Sequence, residues 1–299
     1  MIGAVLGSEV VKRRAIPPEV YDSPLIAAAL DAIAQRWPQA AAPEGDASPV
    51  FVLSAGWGSG STLLQRLVMS SGRVFLWGEP FDQCAVIQRL TNGLVALRED
   101  WPPDWHFREE TDPEKLTTEW IANLLPPVSS LRTAHRQFVG AWLGDSLPDA
   151  SLRWGLKEVR LTVEHAKYLK WLYPPAKFLF LVRDPADSYR SCLGVNWYSI
   201  WPDYKVRPPV AFAHHWRHLV EGFLTGYESV GGMFIRYEDL VSGDFDLQGV
   251  ADYLEVDRID PGLLEQKVGA RSEGKKGLNP VQRAVIRGIT GTVADRVYA

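Results

Sequence analysis

An apolar run that ends in a glycine-rich turn and continues as an amphipathic segment restricts the possible folds of this chain more than any other stretch. Residues 50–54 read V-F-V-L-S, a continuous apolar run typical of a strand that is buried on both faces of a parallel sheet. Gly56, Gly58 and Gly60 follow at once, and apolar residues then recur at helical spacing over 61–68. The sequence therefore predicts a strand, a glycine loop and a helix in direct succession.

The same alternation recurs along the rest of the chain. Strand-like runs lie at 73–77, 153–158, 177–182 and 233–236. Helical patterns separate the runs, notably at 83–97 and at 113–146, where Pro126 and Pro127 interrupt the pattern. Strands that alternate with helices imply a parallel sheet with right-handed crossovers. We therefore predict a three-layer α/β domain with a parallel sheet of about five strands and a helical insertion over about residues 100–150.

The first 49 residues differ in composition from the rest. Residues 23–37 carry apolar side chains at helical spacing, and residues 39–49 are rich in Ala, Pro and Gly. This pattern predicts an N-terminal helical arm and linker over 1–49, followed by one α/β domain over 50–299.

Composition excludes several classes of protein. The chain has 299 residues, of which 46% are apolar, so it is not disordered throughout. Its 32 basic and 36 acidic residues give a net charge of −4, which leaves no general cationic surface for nucleic acid. A local basic pocket for a small anion remains compatible with this charge.

Cysteine usage and hydropathy point to a reducing compartment. Cys84 and Cys192 are too few for a disulfide framework and lack the spacing of a zinc site. The longest apolar stretches are strand-sized, so no membrane span is predicted. An apolar segment at 1–7 precedes the basic residues 12–14, the reverse of the order in a signal peptide. We expect a soluble protein, most simply of a bacterial-type cytoplasm.

The glycine loop over residues 54–62 is the first chemical clue. Glycines let the backbone curl around an anion, and a helix that starts at Ser61 points its first N–H groups toward such a ligand. The loop is not a Walker A sequence, because no Lys precedes the Ser61-Thr62 pair and the glycine spacing differs. The alternative is that the glycines serve tight packing alone.

The strand at 177–182 ends directly in Arg183, which supplies the second clue. Asp184 and Pro185 are a typical helix start, so Arg183 is expected at the carboxyl edge of the sheet, where open α/β folds bind ligands. Ser191 lies eight residues further on, about two helical turns, and is expected to face the same way. The alternative is a surface arginine that pairs with Asp184 or Asp187.

Together these segments resemble the sulfotransferases that use 3′-phosphoadenosine-5′-phosphosulfate as donor. Residues 58–64 read G-S-G-S-T-L-L and match the family's R-S-G-S/T-T-L-L loop at all but the first position. Arg183 and Ser191 match its R-D-P segment, and residues 236–240 read R-Y-E-D-L, a third family segment. The resemblance spans roughly residues 50–290. The ordered combination of the three segments makes it specific. It is closest to the bacterial and tyrosylprotein-like branches.

The resemblance implies a three-layer P-loop NTPase-like fold and a set of binding residues. Arg183 and Ser191 would bind the 3′-phosphate, and Tyr237 would help to place the adenine. The 5′-phosphosulfate would be bound by the loop residues Gly56, Trp57, Gly58, Ser59, Gly60, Ser61 and Thr62.

Two further positions fit the tyrosylprotein-like pattern. Glu79 follows the second predicted strand, where that branch carries a carboxylate facing the acceptor, and Lys157 matches its site lysine. A carboxylate beside an incoming hydroxyl can accept its proton, and a lysine can neutralise charge on the transferring group or leaving phosphate. The alternative for Glu79 is a solvent-exposed turn residue. Glu158 is expected on the other side of its strand from Lys157.

One position departs from the family pattern, since Gly58 replaces the arginine of the phosphosulfate loop. This replacement removes a planar, bidentate cation from the place where sulfuryl charge must bind. Backbone N–H groups, the helix N-terminus and Lys157 remain, and Arg66 or Arg89 are candidates to fill the gap.

Two basic clusters are less specific. Residues 275–277, which are Lys275, Lys276 and Gly277, resemble the family's R-K-G loop at the 3′-phosphate, and a solvated basic turn is the alternative. His214 and His215 are adjacent and point to two faces of a predicted helix, so metal ligation is not expected. They are expected on the substrate side or on the surface.

The leading hypothesis is transfer of a sulfuryl group from the phosphosulfate donor to a hydroxyl, with adenosine 3′,5′-bisphosphate as product. The acceptor would be a small or medium-sized molecule, a glycan or a peptide, and the chemistry needs no metal. A catalytically silent nucleotide-binding protein is the alternative suggested by Gly58. A small-molecule kinase is disfavoured by the missing Walker lysine.

Overall fold

The computed structural model describes residues 23–41, 47–79, 85–108, 112, 114–193, 208–243, 245–265 and 277–299. The strands of this part are β1 (Val50–Ser54), β2 (Val74–Trp77), β3 (Arg153–Glu158), β4 (Lys177–Val182) and β5 (Met233–Arg236). The helices are α1 (Pro24–Arg36), α2 (Ser61–Met69), α3 (Val86–Asn92), α4 (Val128–Leu143), α5 (Val163–Leu172), α6 (Pro185–Cys192), α7 (Pro209–Gly226), α8 (Tyr237–Leu240), α9 (Leu247–Leu254) and α10 (Pro280–Tyr298). Short 3-10 helices lie at Pro38–Ala41, Leu94–Ala96, Asp104–His106, Lys115–Thr117, Tyr227–Val230 and Pro261–Leu264.

All five strands pair in parallel in the order β2-β3-β1-β4-β5. The central strand β1 is buried along its whole length, and Val52 is in register with Lys157 of β3 and Leu179 of β4. This burial explains the continuous apolar run, because a central strand of a parallel sheet has no solvent face. The predicted parallel sheet of five strands is confirmed.

Helices cover both faces of the sheet. Phe51 and Leu53 point into one core, which α1, α5 and α7 close, whereas Val50 and Val52 point into a second core closed by α2 and α9. The alternation follows from the period of two along a strand. The predicted three-layer α/β architecture is therefore confirmed.

The connections of the sheet place two loops side by side. The chain leaves β1 toward β2 on one side of the sheet, whereas β4 leads to β5 on the other. Such a reversal opens a crevice at the carboxyl ends of the strands. The glycine loop after β1 and the turn at Arg183 after β4 meet at this point.

The helix predicted as an N-terminal arm packs into the larger core. Ile26, Ala29 and Ile33 of α1 are almost completely buried, and α1 packs against α5. Its apolar stripe is covered by the rest of the described chain except at Leu25, which is half exposed.

The insertion between β2 and β3 is less helical than the sequence pattern suggests. The prediction of a helix from residue 113 is wrong, because residues 114–127 contain only the 3-10 turn Lys115–Thr117 and the long helix α4 begins at Val128. Trp120 and Ile121 are at least half exposed, so their apolar spacing has no core to pack against. The helix predicted over 83–97 is also shorter, since α3 ends at Asn92; residues 83 and 84 lie outside the described part.

Candidate functional site

The glycine loop has the backbone conformation that its composition predicts. Gly56, Gly58 and Gly60 have φ values of +79°, +78° and +89°, in the left-handed region that side chains other than glycine rarely adopt. The Ser59 hydroxyl donates to the Gly56 carbonyl at 2.9 Å and closes the turn. Helix α2 begins at Ser61, so its first N–H groups are directed at the end of the loop.

The structure brings the two predicted binding segments together. Arg183 Nη1 donates a hydrogen bond to the Gly58 carbonyl oxygen at 3.0 Å. The Cys192 thiol, at the end of α6, donates to the Trp57 carbonyl at 3.0 Å. A Cβ atom at position 58 would lie 3.0 Å from the Cβ of Ser191. The loop, Arg183 and Ser191 therefore form one continuous surface.

Close packing also explains why glycine occupies position 58. A Cβ atom there would lie 2.5 Å from the backbone oxygen of Ser188 in α6, which is closer than real Cβ contacts. The arginine that the family carries in this loop has no room here, and Arg183 supplies the guanidinium that contacts the loop. Arg66 and Arg89, the candidates considered as replacements, are exposed on α2 and α3.

Tyr237 packs its ring against the loop from the other side. A Cβ atom at Gly60 would lie 2.2 Å from Tyr237 Cδ2, so the aromatic ring lies directly on the glycine backbone. The Arg183 guanidinium carbon lies 4.2 Å from the centroid of the same ring, a cation–π contact. Tyr237 thus contacts both the glycine loop and Arg183, the two elements that are expected to bind the nucleotide.

Glu79 and Lys157 form an ion pair at the carboxyl ends of adjacent strands. Lys157 Nζ lies 2.6 Å from Glu79 Oε1, and the two side chains are 8% and 13% exposed. The expected alternative for Glu79, an exposed turn residue, does not describe this arrangement. The pair combines a proton acceptor and a cation in one partly dehydrated place.

A second ion pair lies next to the first and is fully buried. Arg160 donates two hydrogen bonds of 3.0 Å to the two oxygens of Glu158, whose Oε1 also accepts from the Val159 amide. Burial raises the pKa of Glu158, the Arg160 charge counteracts that rise, and the nearby Glu79 charge adds to it. The Val159 carbonyl accepts from Gly56 N–H at 3.2 Å, so this turn supports the loop.

The position of His215 differs from the one expected from the sequence. It was expected on the substrate side or at the surface, but it is fully buried, and its Cδ2 lies 3.6 Å from where a Cβ of Gly56 would be. Its ring centroid lies 5.8 Å from that of the buried Trp57. Burial lowers the pKa of His215 to about 3, and the charges of His218 and Arg160 act in the same direction. The imidazole is therefore neutral at ordinary pH and supports the loop from beneath.

Only one residue of the basic segment 275–277 belongs to the described part of the chain. Lys275 and Lys276 lie outside the described residues. Gly277 is exposed, and a Cβ atom there would meet no atom of the described residues within 4 Å.

Several residues that shape the site were missed by the sequence analysis. Arg160 was detectable as a charged residue two positions after the predicted strand 153–158, but nothing in its spacing identified Glu158 as its partner. Trp216 donates from Nε1 to the Arg183 carbonyl at 3.0 Å, and Tyr298 donates to Glu238 at 3.0 Å. Both contacts join segments that are distant in the chain, which leaves no local signal.

Two searches of the described residues gave negative results. No group of three or more His, Cys, Asp or Glu side chains in the described ranges is placed to hold a metal ion. None of the helices within those ranges combines the length and the apolar composition that crossing a bilayer requires.

Comparison with known proteins agrees with the resemblance seen in the sequence. The model of the sulfotransferase family matches residues 49–260. A search of curated proteins finds no match. Three similar solved structures are a sulfotransferase domain from the Synechococcus PCC 7002 olefin synthase, one from the curacin biosynthetic pathway, and a sulfotransferase from Alicyclobacillus acidocaldarius.

The structural similarities are distant. Sequence identities, in the order given, are 18%, 17% and 15%, and the TM-scores are 0.46, 0.45 and 0.45. The aligned regions cover 86%, 84% and 84% of this chain and 97%, 97% and 94% of the other chains.

Proposed function

Since this chain belongs to the sulfotransferase family, we propose that it transfers a sulfuryl group from 3′-phosphoadenosine-5′-phosphosulfate to a hydroxyl of a small or medium-sized acceptor. The observation that carries this proposal is the hydrogen bond from Arg183 to the Gly58 carbonyl, because it joins the two segments needed by the two anionic ends of the donor. When bound, the donor supplies an activated sulfur atom, which exchanges its bond to the 5′-phosphate oxygen for a bond to the acceptor oxygen.

The residues present fit such a donor. Arg183 keeps a buried Nε–H that has no hydrogen-bond partner among the described residues, so the guanidinium retains a donor beyond its bond to Gly58. Guanidinium groups bind phosphates through parallel hydrogen bonds. The loop backbone and the start of α2 form the second anion-binding element. Arg183 and Ser191 would hold the 3′-phosphate, and the loop would hold the 5′-phosphosulfate.

Lys157 and Glu79 take the two chemical roles beside the loop. Lys157 would neutralise charge on the transferring group and on the leaving phosphate. Glu79 would accept the proton of the acceptor hydroxyl. In this proposal Lys157 would exchange its 2.6 Å contact with Glu79 for the sulfonate when the donor binds, which would free the carboxylate for the acceptor. Alignment of the acceptor oxygen with the sulfur then supplies much of the rate acceleration.

The direct test combines binding with product detection. Calorimetry with adenosine 3′,5′-bisphosphate should detect binding, and mass spectrometry of a metabolite extract incubated with donor and protein should detect a sulfated product. Absence of binding at millimolar concentration would overturn the proposal.

A catalytically silent nucleotide-binding protein is the second candidate. Gly58 favours it, because the family's loop arginine is missing and its space is filled by α6. The two candidates differ in one outcome: a silent protein binds the bisphosphate but yields no sulfated product across a wide screen of acceptors.

A further inference from the structure

One peptide unit beside the candidate phosphate site is held from both edges. The carbonyl of Arg183 accepts from Trp216 Nε1 at 3.0 Å. The amide of Asp184, which belongs to the same peptide unit, donates to Glu238 Oε1 at 2.9 Å. Because a peptide unit is planar and rigid, these two hydrogen bonds together define its orientation. They thereby define the direction in which the chain presents Arg183.

Asp184 carries this orientation into helix α6. Its carboxylate caps the helix by accepting from the amides of Ala186 and Asp187, both at 2.9 Å. An N-cap of this kind stabilises the first turn of a helix. The bond from Asp184 to Glu238 therefore links the start of α6 to the segment Arg236–Leu240.

Glu238 is itself oriented by the end of helix α10. Tyr298 Oη donates to Glu238 Oε2 at 3.0 Å, and Arg236 Nη1 donates to the Val297 carbonyl at 3.2 Å. Burial raises the pKa of Tyr298, and the Glu238 charge adds to that rise. The phenol therefore stays protonated and remains a donor. Each oxygen of Glu238 thus has its own partner.

We propose that Tyr298 is a positioning residue for recognition of a nucleoside 3′-phosphate, acting through Glu238 and the Asp184 amide on Arg183. This inference rests on the proposed function, since it assigns Arg183 to the 3′-phosphate. Without the Tyr298 hydroxyl, the Glu238 carboxylate loses one of its two anchors, and the peptide that carries Arg183 becomes less restricted. A ligand that needs the Arg183 guanidinium in one orientation, such as a nucleoside 3′-phosphate, then binds more weakly, because binding must restrict this peptide.

The test is Tyr298→Phe, which removes one oxygen atom and keeps the ring. Loss of a hydrogen bond to a charged group should weaken binding of adenosine 3′,5′-bisphosphate about five- to tenfold in calorimetry. Adenosine 5′-phosphate lacks the 3′-phosphate, and its affinity should change less than about twofold. In turnover, KM for the donor should rise by a similar factor with kcat near the wild-type value.

Tyr253→Phe is the matched control. The Tyr253 hydroxyl is likewise hydrogen-bonded, but to the backbone at the amino edge of the sheet: it accepts from the Phe178 amide and donates to the Gly231 carbonyl. This variant should keep the wild-type affinity for the bisphosphate. Glu238→Gln provides an independent second route, and the double variant with Tyr298→Phe should lose less affinity than the sum of the two single variants.

The outcomes separate the inference from the proposed function. If the wild-type protein binds the bisphosphate and Tyr298→Phe binds it equally well, the positioning role is wrong. The role is equally wrong if Tyr298→Phe weakens both nucleotides to the same extent. If the wild-type protein itself fails to bind the bisphosphate, the proposed function falls, and the inference falls with it.

Discussion

Arg183 and Gly58 are 125 residues apart in the chain, and a hydrogen bond of 3.0 Å joins the guanidinium of the first to the carbonyl oxygen of the second. The contact links the loop after β1 to the turn after β4, at the point where the strand order of the sheet reverses. It depends on the absence of a side chain at Gly58, since α6 occupies that space. An anion site of the proposed kind is therefore assembled from two segments that only folding brings together.

Replacing Arg183 should weaken nucleotide binding more than replacing an exposed arginine does. For Arg183→Ala we expect a loss of about 2 kcal/mol in binding of adenosine 3′,5′-bisphosphate, roughly 30-fold, because a charge-assisted hydrogen bond is removed. Calorimetry measures this change. Arg190→Ala is the matched control, since Arg190 lies on the helix α6 that follows Arg183, where its half-exposed side chain pairs with Asp187. Equal affinities of the two variants would contradict the assignment.

Glu79→Gln should separate chemistry from binding. Removal of a general base costs typically 10²- to 10⁴-fold in turnover, about 3 to 5 kcal/mol, whereas bisphosphate affinity should stay close to the wild-type value. Steady-state turnover and calorimetry on the same sample measure both quantities. Glu255→Gln is the control, because Glu255 forms a similar 2.6 Å pair with Lys177 at the opposite edge of the sheet. Undiminished turnover of Glu79→Gln would exclude the proton-acceptor role.

Adding a side chain at Gly58 should destabilise the fold rather than restore a family feature. A left-handed backbone costs a residue other than glycine roughly 1–2 kcal/mol. Gly58→Ala should lower the free energy of unfolding by more than this, because the new Cβ also meets the Ser188 carbonyl. Gly72→Ala provides the comparison, since Gly72 has a φ of +66° and open space around it. Urea unfolding measures both. We expect Gly58→Arg to be at least as damaging, and equal losses in the two alanine variants would contradict the packing argument.

Two buried histidines should make stability fall in acid. Burial lowers the pKa of His165 and of His215 from 6.5 to about 3. Between these values the unfolded chain binds more protons than the folded protein, so the free energy of unfolding decreases as pH falls and is unaffected by these groups above pH 6.5. Each histidine contributes a slope of about 1.4 kcal/mol per pH unit within that window.

His165→Gln tests this slope with little structural change. His165 accepts from the Thr162 amide in a capping box, and glutamine is an ordinary residue at that position. Urea unfolding at several pH values between about 4 and 6 should give a slope lower by the contribution of one histidine. An unchanged slope would mean that His165 titrates in the folded protein as it does in the unfolded chain.

The strands were predictable from local patterns in the sequence. The predicted strands at 153–158, 177–182 and 233–236 match β3, β4 and β5 residue for residue. The continuous apolar run of β4 is typical of a strand buried in a parallel sheet, whereas β3 also carries Arg153, Lys157 and Glu158. Helices were less predictable. The pattern after residue 113 has helical spacing but lacks a partner surface, and an isolated short helix is marginal in water.

The motifs of the candidate site were predictable from the sequence, but the buried residues that pack beneath them were not. Glycines in succession, an arginine at a strand end and the R-Y-E-D-L segment are local patterns, and a parallel sheet brings strand ends to one edge. The burial of Arg160 against Glu158 and of His215 beneath the loop depends on which helices cover that edge. The spacing of residues over a short stretch of chain does not predict how these helices pack.

Local sequence was sufficient to define the class of fold and the chemical character of its loops, because apolar periodicity and glycine content act over a few neighbouring residues. The packing of distant segments defines the rest: why position 58 has no space for an arginine, that Lys157 meets Glu79, and that Tyr298 reaches Glu238. These contacts are set by the crossing of whole elements around two cores, a property of the assembled chain and of no single stretch within it.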